Sequence, residues 1–270
     1  PVKCGKCYEC RKAKRNEWMI RLSEELRHEK AYFITLTASD EEYNKILKNL
    51  NLKGIKYYEN FVAGRMLRLM LERIRKETKK SLKHWGVSEV GHDRGRLHIH
   101  MLFFGENSAL LVKKHWKYGR VDIGQYVNEK TVNYITKYCF KQDELHKDFQ
   151  GRIFCSAGIG KSYLLRDDSK SRRYRPNGET KDVYRTRNGQ TINLPIYFRN
   201  KIYSEEEREL LWLEKQKKSI LWVGGEKYKY IVILKMIEKR KYLKKKKVQN
   251  SADTTKKKEE HKKTPEEIKK

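Results

Sequence analysis

The sequence predicts an α+β fold, a central antiparallel sheet of about five strands with flanking helices. Three observations carry this. Amphipathic helical periods alternate with short aromatic and β-branched runs. Two such runs flank one short polar turn, the pattern of a β-hairpin. The 270 residues, 37% of them hydrophobic, are enough for a core without disulfide staples.

The first helix is expected from about Arg11 to Glu29, where Trp18, Leu22 and Leu26 recur every four residues. Tyr32 to Thr37 reads as a buried strand. A second helix covers about Phe61 to Lys80, with Met66, Leu67, Met70, Leu71 and Ile74 turned inward. Trp85 to Val90 and Leu97 to Phe104 form the hairpin around the polar segment Gly91 to Arg96. Tyr126 to Lys141 reads as one helix, with Val127, Val132, Ile135 and Cys139 as its apolar positions. Ser169 to Gly189 reads as a long basic loop or poorly ordered insertion. Ser204 to Lys218 reads as a helix with Leu210, Leu211 and Leu213 on its apolar side. Residues 240–270 hold 13 Lys/Arg against 5 Asp/Glu and almost nothing apolar, so a disordered basic tail is expected. The organisation is thus a cysteine cluster with the N-terminal helix (1–30), a catalytic domain (31–203), an accessory helical and strand segment (204–239) and the tail (240–270).

Charge narrows the partners. Lys and Arg total 64 against 35 Asp and Glu, a net +29. That excess suits a polyanion, nucleic acid or an anionic membrane surface, and argues against an enzyme for small neutral substrates. No apolar run approaches the ~18 residues of a transmembrane helix. Residues 1–10 lack the apolar core of a secretory signal. The five cysteines are odd in number, and three are crowded as Cys4-x-x-Cys7-x-x-Cys10, which reads as reduced thiols. Three thiolates are one short of a closed zinc site. Cys155 or His28 is a candidate for the fourth ligand, and a structural zinc and a metal-free cluster both stay open. Cys139 reads as a small core residue.

Leu97-His98-Ile99-His100-Met101 is the most informative stretch. Residues two apart on a strand share a face, so His98 and His100 project together while their neighbours enter the core. Such a pair can hold a divalent metal or simply face solvent. If the hairpin turn centres on Asp93 and Arg94, Glu89 lies opposite His98 and completes a His, His, Glu set with open positions, a catalytic arrangement. A one-residue slip would send Glu89 to the other face. The second constellation is a duplicated Y-x-x-K: Tyr134 with Lys137 and Tyr138 with Lys141. On a helix the two tyrosines share a face, either as nucleophiles assisted by an ammonium or as core residues with polar tips. Together, a metal strand, a tyrosine pair and a basic surface are the parts needed to cut DNA through a phosphotyrosine.

These residues resemble the HUH endonucleases, and within them the replication initiators of the gokushovirus-like Microviridae, small single-stranded DNA phages. Cys4-Gly-Lys-Cys7-Tyr-Glu-Cys10-Arg11 with Trp18 looks like that family's opening. Phe33-Ile34-Thr35-Leu36-Thr37 resembles its first motif, His98-Ile99-His100 its metal motif, and Tyr134 to Lys141 its two-tyrosine motif. Gly158-Ile159-Gly160 and Leu194-Pro195-Ile196-Tyr197 are also similar. The resemblance spans about Cys4 to Tyr203. It implies a rolling-circle initiator in the host bacterial cytoplasm that nicks and rejoins single-stranded or supercoiled origin DNA. Tyr134 and Tyr138 would be the nucleophiles, Lys137 and Lys141 would stabilise phosphate, and His98, His100 and Glu89 would hold Mg²⁺ or Mn²⁺. Host helicase and polymerase are the implied partners, with no membrane. An HUH transposase or relaxase, and a non-catalytic basic DNA-binding protein, are the competing readings.

Three weaker signals complete the survey. Gly160-Lys161-Ser162 is not a phosphate loop, because Cys155 stands where its first glycine belongs. His84, His92, His115 and His146 read as surface or loop residues. Arg172, Arg173 and Arg175, and Lys244 to Lys247, are candidates for contact with DNA phosphates. Interleaved aromatics such as Tyr163, Tyr174, Tyr184, Tyr197 and Phe198 could stack on bases but mostly suit packing.

Overall fold

The computed structural model describes residues 4–5, 7–50, 55, 58–91, 95–139, 149–187, 189–217, 220–223 and 226–229. The candidate residues His92, Lys141 and His146 and the tail 240–270 lie outside them. The chain forms two compact units. The larger runs from Pro1 to Glu209 and includes Gly224–Glu226; the smaller comprises Leu210–Val223 and Lys227–Lys270.

In the larger unit the order is α1 (Tyr8–Glu25), β1 (Ala31–Thr37), α2 (Asp40–Leu50), α3 (Tyr58–Thr78), β2 (His84–Val90), β3 (Leu97–Phe104), α4 (Ser108–His115), β4 (Val121–Tyr126), α5 (Glu129–Thr136) and β5 (Ile153–Cys155). Then come α6 (Asp167–Lys170), the short β6–β7 pair (Val183–Arg185, Thr191–Asn193) and α7 (Ile196–Ile202). Helix α8 (Glu205–Lys217) crosses the division between the units. Strands β8 (Ile220–Val223) and β9 (Glu226–Lys229) pair beyond it.

The predicted sheet is present: five antiparallel strands in the order β4-β1-β3-β2-β5, with the histidine strand β3 at the centre. Period-two alternation divides its faces. Ile34 and Leu36 of β1 and Leu97, Ile99, Met101 and Phe103 of β3 pack against Val62, Met66, Met70 and Ile74 of α3 and Val112 of α4. On the other face Ala31, Trp85, Leu102 and Phe104 pack against Leu22 of α1 and Val132 and Ile135 of α5. Helices therefore cover both faces, where the sequence suggested one face with the tyrosine helix alongside.

Several boundaries differ from expectation. Helix α1 starts at Tyr8 and ends at Glu25, earlier at both ends than the Trp18–Leu22–Leu26 stripe suggests. Helices α2 and α4 and strand β4 are additions, each too short for its periodicity to stand out. The helix expected from Tyr126 to Lys141 is in fact the end of β4, then α5, then a 3₁₀ turn at Lys137–Cys139. The segment 169–189 is folded rather than a loose loop. Arg172 is only 8% exposed, Asp182, Thr180 and Tyr184 are buried, and the Tyr203 hydroxyl donates to the Arg172 carbonyl at 2.5 Å. In α8 Leu211 is buried, whereas Leu210 and Leu213 are exposed.

A buried carboxylate holds α1 to the later segments. Glu24 is fully buried. It accepts two hydrogen bonds of 2.7 Å from Arg166 Nη1, pairs with Arg27 at 3.2 Å and accepts from the Tyr184 hydroxyl. Its neighbour Glu25 takes Lys83 Nζ at 2.6 Å and the Gly160 amide at 2.5 Å. Gly160 has φ of +79°, and a Cβ there would sit 2.7 Å from the Arg21 carbonyl oxygen, so the Gly158–Lys161 turn serves packing. Replacing Glu24 by Ala leaves the partly buried Arg166 and the Tyr184 hydroxyl unmatched and is expected to cost about 3 kcal/mol, read from urea unfolding midpoints.

His84, expected on the surface, is largely enclosed, and burial holds its imidazole below the ordinary range, partly countered by the Leu82 carbonyl. A folded-state value below the unfolded one means that the unfolded chain takes up the proton first. Stability is thus complete above the unfolded value of ~6.5 and falls as pH drops through it. The urea midpoint is expected to decline between pH 7.5 and 5.5, and His84→Asn is expected to flatten that decline.

Candidate active site

Sheet pairing assembles the candidate metal residues. In the β2–β3 hairpin Glu89 lies directly opposite His98 and Val87 opposite His100. In the β1–β3 pair Thr37 lies opposite His98 and Thr35 opposite His100. Directly paired residues share a face, so Glu89, His98, His100, Thr35 and Thr37 all project from one side. This is the side that carries Leu102 and Phe104 further along β3. The face is apolar under α1 and α5 and polar toward the hairpin end.

Each histidine is held by its cross-strand threonine. His98 Nδ1 lies 2.9 Å from Thr37 Oγ1, and His100 Nδ1 lies 3.2 Å from Thr35 Oγ1. Both Nε2 atoms are thereby turned away from β1. Glu89 Oε2 lies 2.7 Å from His100 Nε2. In neutral His100 that bond puts the proton on Nε2 and leaves Nδ1 to accept from Thr35. A cation at Nε2 requires the reverse tautomer, and a hydroxyl serves either one because it both donates and accepts. His98 fits against the backbone of Gly91, where a Cβ would stand 2.7 Å from its Nε2. Burial, and then the neighbouring His100, holds His98 below the ordinary imidazole range. It is therefore neutral near pH 7, the form that ligates.

The donor set suits a divalent cation: two oriented imidazoles and a carboxylate on a rigid strand pair. Their ligand atoms are not drawn together as tightly as the thiols. Among the described residues, the one group of three or more His, Cys, Asp or Glu with all ligand atoms within 4.8 Å is Cys4, Cys7 and Cys10. Cys155 is outside that group, and so is His28.

The tyrosines close over the polar end. Helix α5 begins at a capping box in which Asn128 Oδ1 accepts from the Thr131 amide. It buries Val132, Ile135 and Thr136, which leaves Tyr134 48% exposed. The following 3₁₀ turn brings Tyr138 inward. Its ring stacks on His100 with centroids 4.2 Å apart, and its hydroxyl lies 2.7 Å from that of Tyr134. Phe33 stacks on His100 from the β1 side and meets Tyr134 edge-on. Burial pushes the Tyr138 phenol well above its ordinary range, reinforced by its bond to Tyr134 and by the Glu89 charge. Lys137 is exposed at the C-cap of α5.

Comparison with known proteins agrees with this region. A family model for the replication-associated protein ORF2 matches residues 31–143, from the first residue of β1 to beyond Tyr138. The chain belongs to the Microviridae replication-associated proteins. Replication-associated protein ORF2 of Spiroplasma virus 4 is 25% identical over 236 residues, covering 77% of this chain and 69% of that protein. Replication-associated protein ORF4 of Chlamydia phage 1 is 22% identical over 168 residues, covering 53% and 38%. No solved structure gives a significant match. The family match thus includes both the histidine strand and the tyrosine pair of this replication-associated chain, and it leaves the cysteine cluster outside.

Of the proposed DNA-contacting arginines, Arg173 and Arg175 are exposed. Arg172 is instead turned inward to Asp168 at 2.7 Å, because the segment folds back around it. Thr35, Thr37 and Phe33 are the site residues that sequence reasoning missed as such. Their signal is present: Thr35 and Thr37 share the two-residue spacing of His98 and His100. Asp122 lies opposite Thr35 on β4, and its charge reaches His98, although its carboxylate pairs with Arg120. The Thr35→Val/Thr37→Val variant keeps strand shape and removes the hydroxyls. We expect its Mn²⁺ affinity to fall about 10–100-fold by isothermal titration, with the circular dichroism spectrum unchanged.

Proposed function

We propose that this protein initiates rolling-circle replication by nicking and rejoining single-stranded origin DNA through a 5′-phosphotyrosine. The observation that carries the reading is the convergence of two tyrosine hydroxyls, 2.7 Å apart, beside an imidazole that shares its strand face with a second histidine and Glu89. Membership of a replication-associated family and a net charge of +29 support it.

In this reading one phenol oxygen attacks the scissile phosphorus and the P–O3′ bond breaks. Net, the phenol proton ends on the departing 3′ oxygen, giving a free 3′-hydroxyl for extension. The 5′ end stays on tyrosine as a phosphodiester, so no nucleoside triphosphate is needed to reseal it. His98, His100 and Glu89 would hold Mg²⁺ or Mn²⁺, which when bound supplies Lewis-acid charge at a phosphate oxygen. Thr35 and Thr37 orient the imidazoles. Lys137, and Lys141 outside the described residues, would neutralise phosphate charge. Two tyrosines allow one to hold the first 5′ end while the other makes the second cut, and transfer then releases a circle. Arg173 and Arg175 offer non-specific phosphate contacts. The DNA is the direct partner; host helicase and polymerase would act on the free 3′ end, in the bacterial cytoplasm.

The test is a denaturing gel with labelled single-stranded oligonucleotides tiling the encoding genome. With Mn²⁺, wild type is expected to leave a covalent adduct and a shortened 3′-hydroxyl product. Tyr134→Phe and Tyr138→Phe should each still form an adduct but fail to transfer strands. An adduct that persists in the double variant, or that forms equally well in His98→Ala/His100→Ala, refutes the mechanism.

A further inference from the structure

The cysteine cluster lies outside the candidate active site and has its own geometry. Cys7 is the N-cap of α1, Cys10 sits in its first turn, and Cys4 folds back to meet them. All three sulfurs lie within 4.8 Å of one another, and Cys4 Sγ is 3.9 Å from Cys10 Sγ. The Cys7 amide donates to Cys4 Sγ at 3.3 Å, a contact that favours thiolate. The helix N-terminus adds its positive end to the same place. The spacing selects the occupant. Tetrahedral zinc with Zn–S bonds of ~2.3 Å sets its sulfurs about 3.8 Å apart, close to the observed separation. An iron–sulfur cubane places its thiolates on different irons, and so further apart.

We propose that Cys4, Cys7 and Cys10 bind one Zn²⁺ in a three-thiolate site whose fourth ligand is not sulfur. Three protons leave as three sulfurs bind. The two cysteine or histidine candidates in the sequence for a fourth ligand do not reach. Cys155 is on β5, paired with Trp85 and close enough to feel the Arg21 charge, well down α1 from the cluster. His28 lies past the far end of α1, roughly 25 Å along the axis at ~1.5 Å per residue. Cys4 and Cys7 are exposed, so water or another light-atom donor can complete the tetrahedron. The site clamps the chain leading into α1, the helix whose other end carries the Glu24 anchor.

This proposal does not depend on DNA cleavage. The full chain, purified reduced and without chelator, is assayed for metal by mass spectrometry and for ligand type by zinc X-ray absorption. Expected are about one zinc per chain and a shell of three sulfurs and one nitrogen or oxygen. Zinc should be lost in Cys4→Ser and in Cys7→Ser. It should be retained in Cys155→Ser and in Tyr134→Phe/Tyr138→Phe. Because Cys4 precedes the helix, Cys4→Ser is expected to keep the wild-type circular dichroism spectrum, which separates zinc loss from unfolding. Wild type that takes up no zinc on titration, zinc that survives Cys4→Ser, a four-sulfur shell, iron with labile sulfide, or a Cys4–Cys10 disulfide in the reduced preparation would each overturn the proposal.

Discussion

The arrangement depends on the register of β3 between β1 and β2. Leu97, Ile99, Met101 and Phe103 are all essentially buried against α3 and its neighbours. A slip of one residue would drive His98 and His100 into that core and expose four large apolar side chains. Each apolar side chain contributes about 1.5–3 kcal/mol by burial, so the alternative register is far out of reach. The chemistry-bearing residues have little say in where they point. The core on one side of the strand dictates the orientation of the imidazoles on the other.

The same face does two jobs along its length. At the Leu102 and Phe104 end it is apolar and accepts α1 and α5. At the His98 end it is polar and meets the tyrosines. Helix α5 links the two halves. Val132 and Ile135 dock it on the apolar part, and the chain beyond them overhangs the polar part. The break from α-helix to 3₁₀ turn after Thr136 matters here. In a straight helix Tyr134 and Tyr138 would lie one above the other along the same side. With the last turn tightened, the rings stand at 85° and their oxygens meet. One phenol stays open to solvent while the other is shielded, and its protonated form is favoured by burial and by Glu89.

What the sequence disclosed follows the range of the contacts. The pairing of Glu89 with His98 is legible because it depends only on a short turn and on alternation along two strands. The helix period of Met66, Met70 and Ile74 is legible for the same reason. The threonine–histidine bonds span 61 and 65 residues, and nothing in a linear pattern shows that β1 rather than another strand borders β3. The tyrosine spacing is visible, but the 3₁₀ turn that makes the hydroxyls converge is not. Arg172 misleads because a run of basic residues looks solvated until Asp168, four residues earlier, folds back onto it. The second layer of helices was hidden in a similar way. Helix α1 is so rich in Lys and Arg that its apolar stripe reads as a surface helix, although Leu22 is fully buried.

That richness in cations bears on how a chain of net charge +29 stays folded while presenting its charge outward. The carboxylates that α1 carries are not spread over the surface. Glu24 is enclosed with Arg166, Arg27 and Tyr184, and Glu25 with Lys83 and the Gly160 amide. A buried carboxylate needs such partners, since unpaired it would cost several kcal/mol. The basic residues that supply them come from segments distant in sequence, so the ion pairs also fix the tertiary connections of α1. Acidic side chains held inside in this way cannot neutralise the exterior. The surplus of Lys and Arg is left to solvent, where repulsion between like charges is screened by salt within about 10 Å and relieved further by a polyanion. Binding nucleic acid would therefore lower a repulsion that folding alone leaves in place.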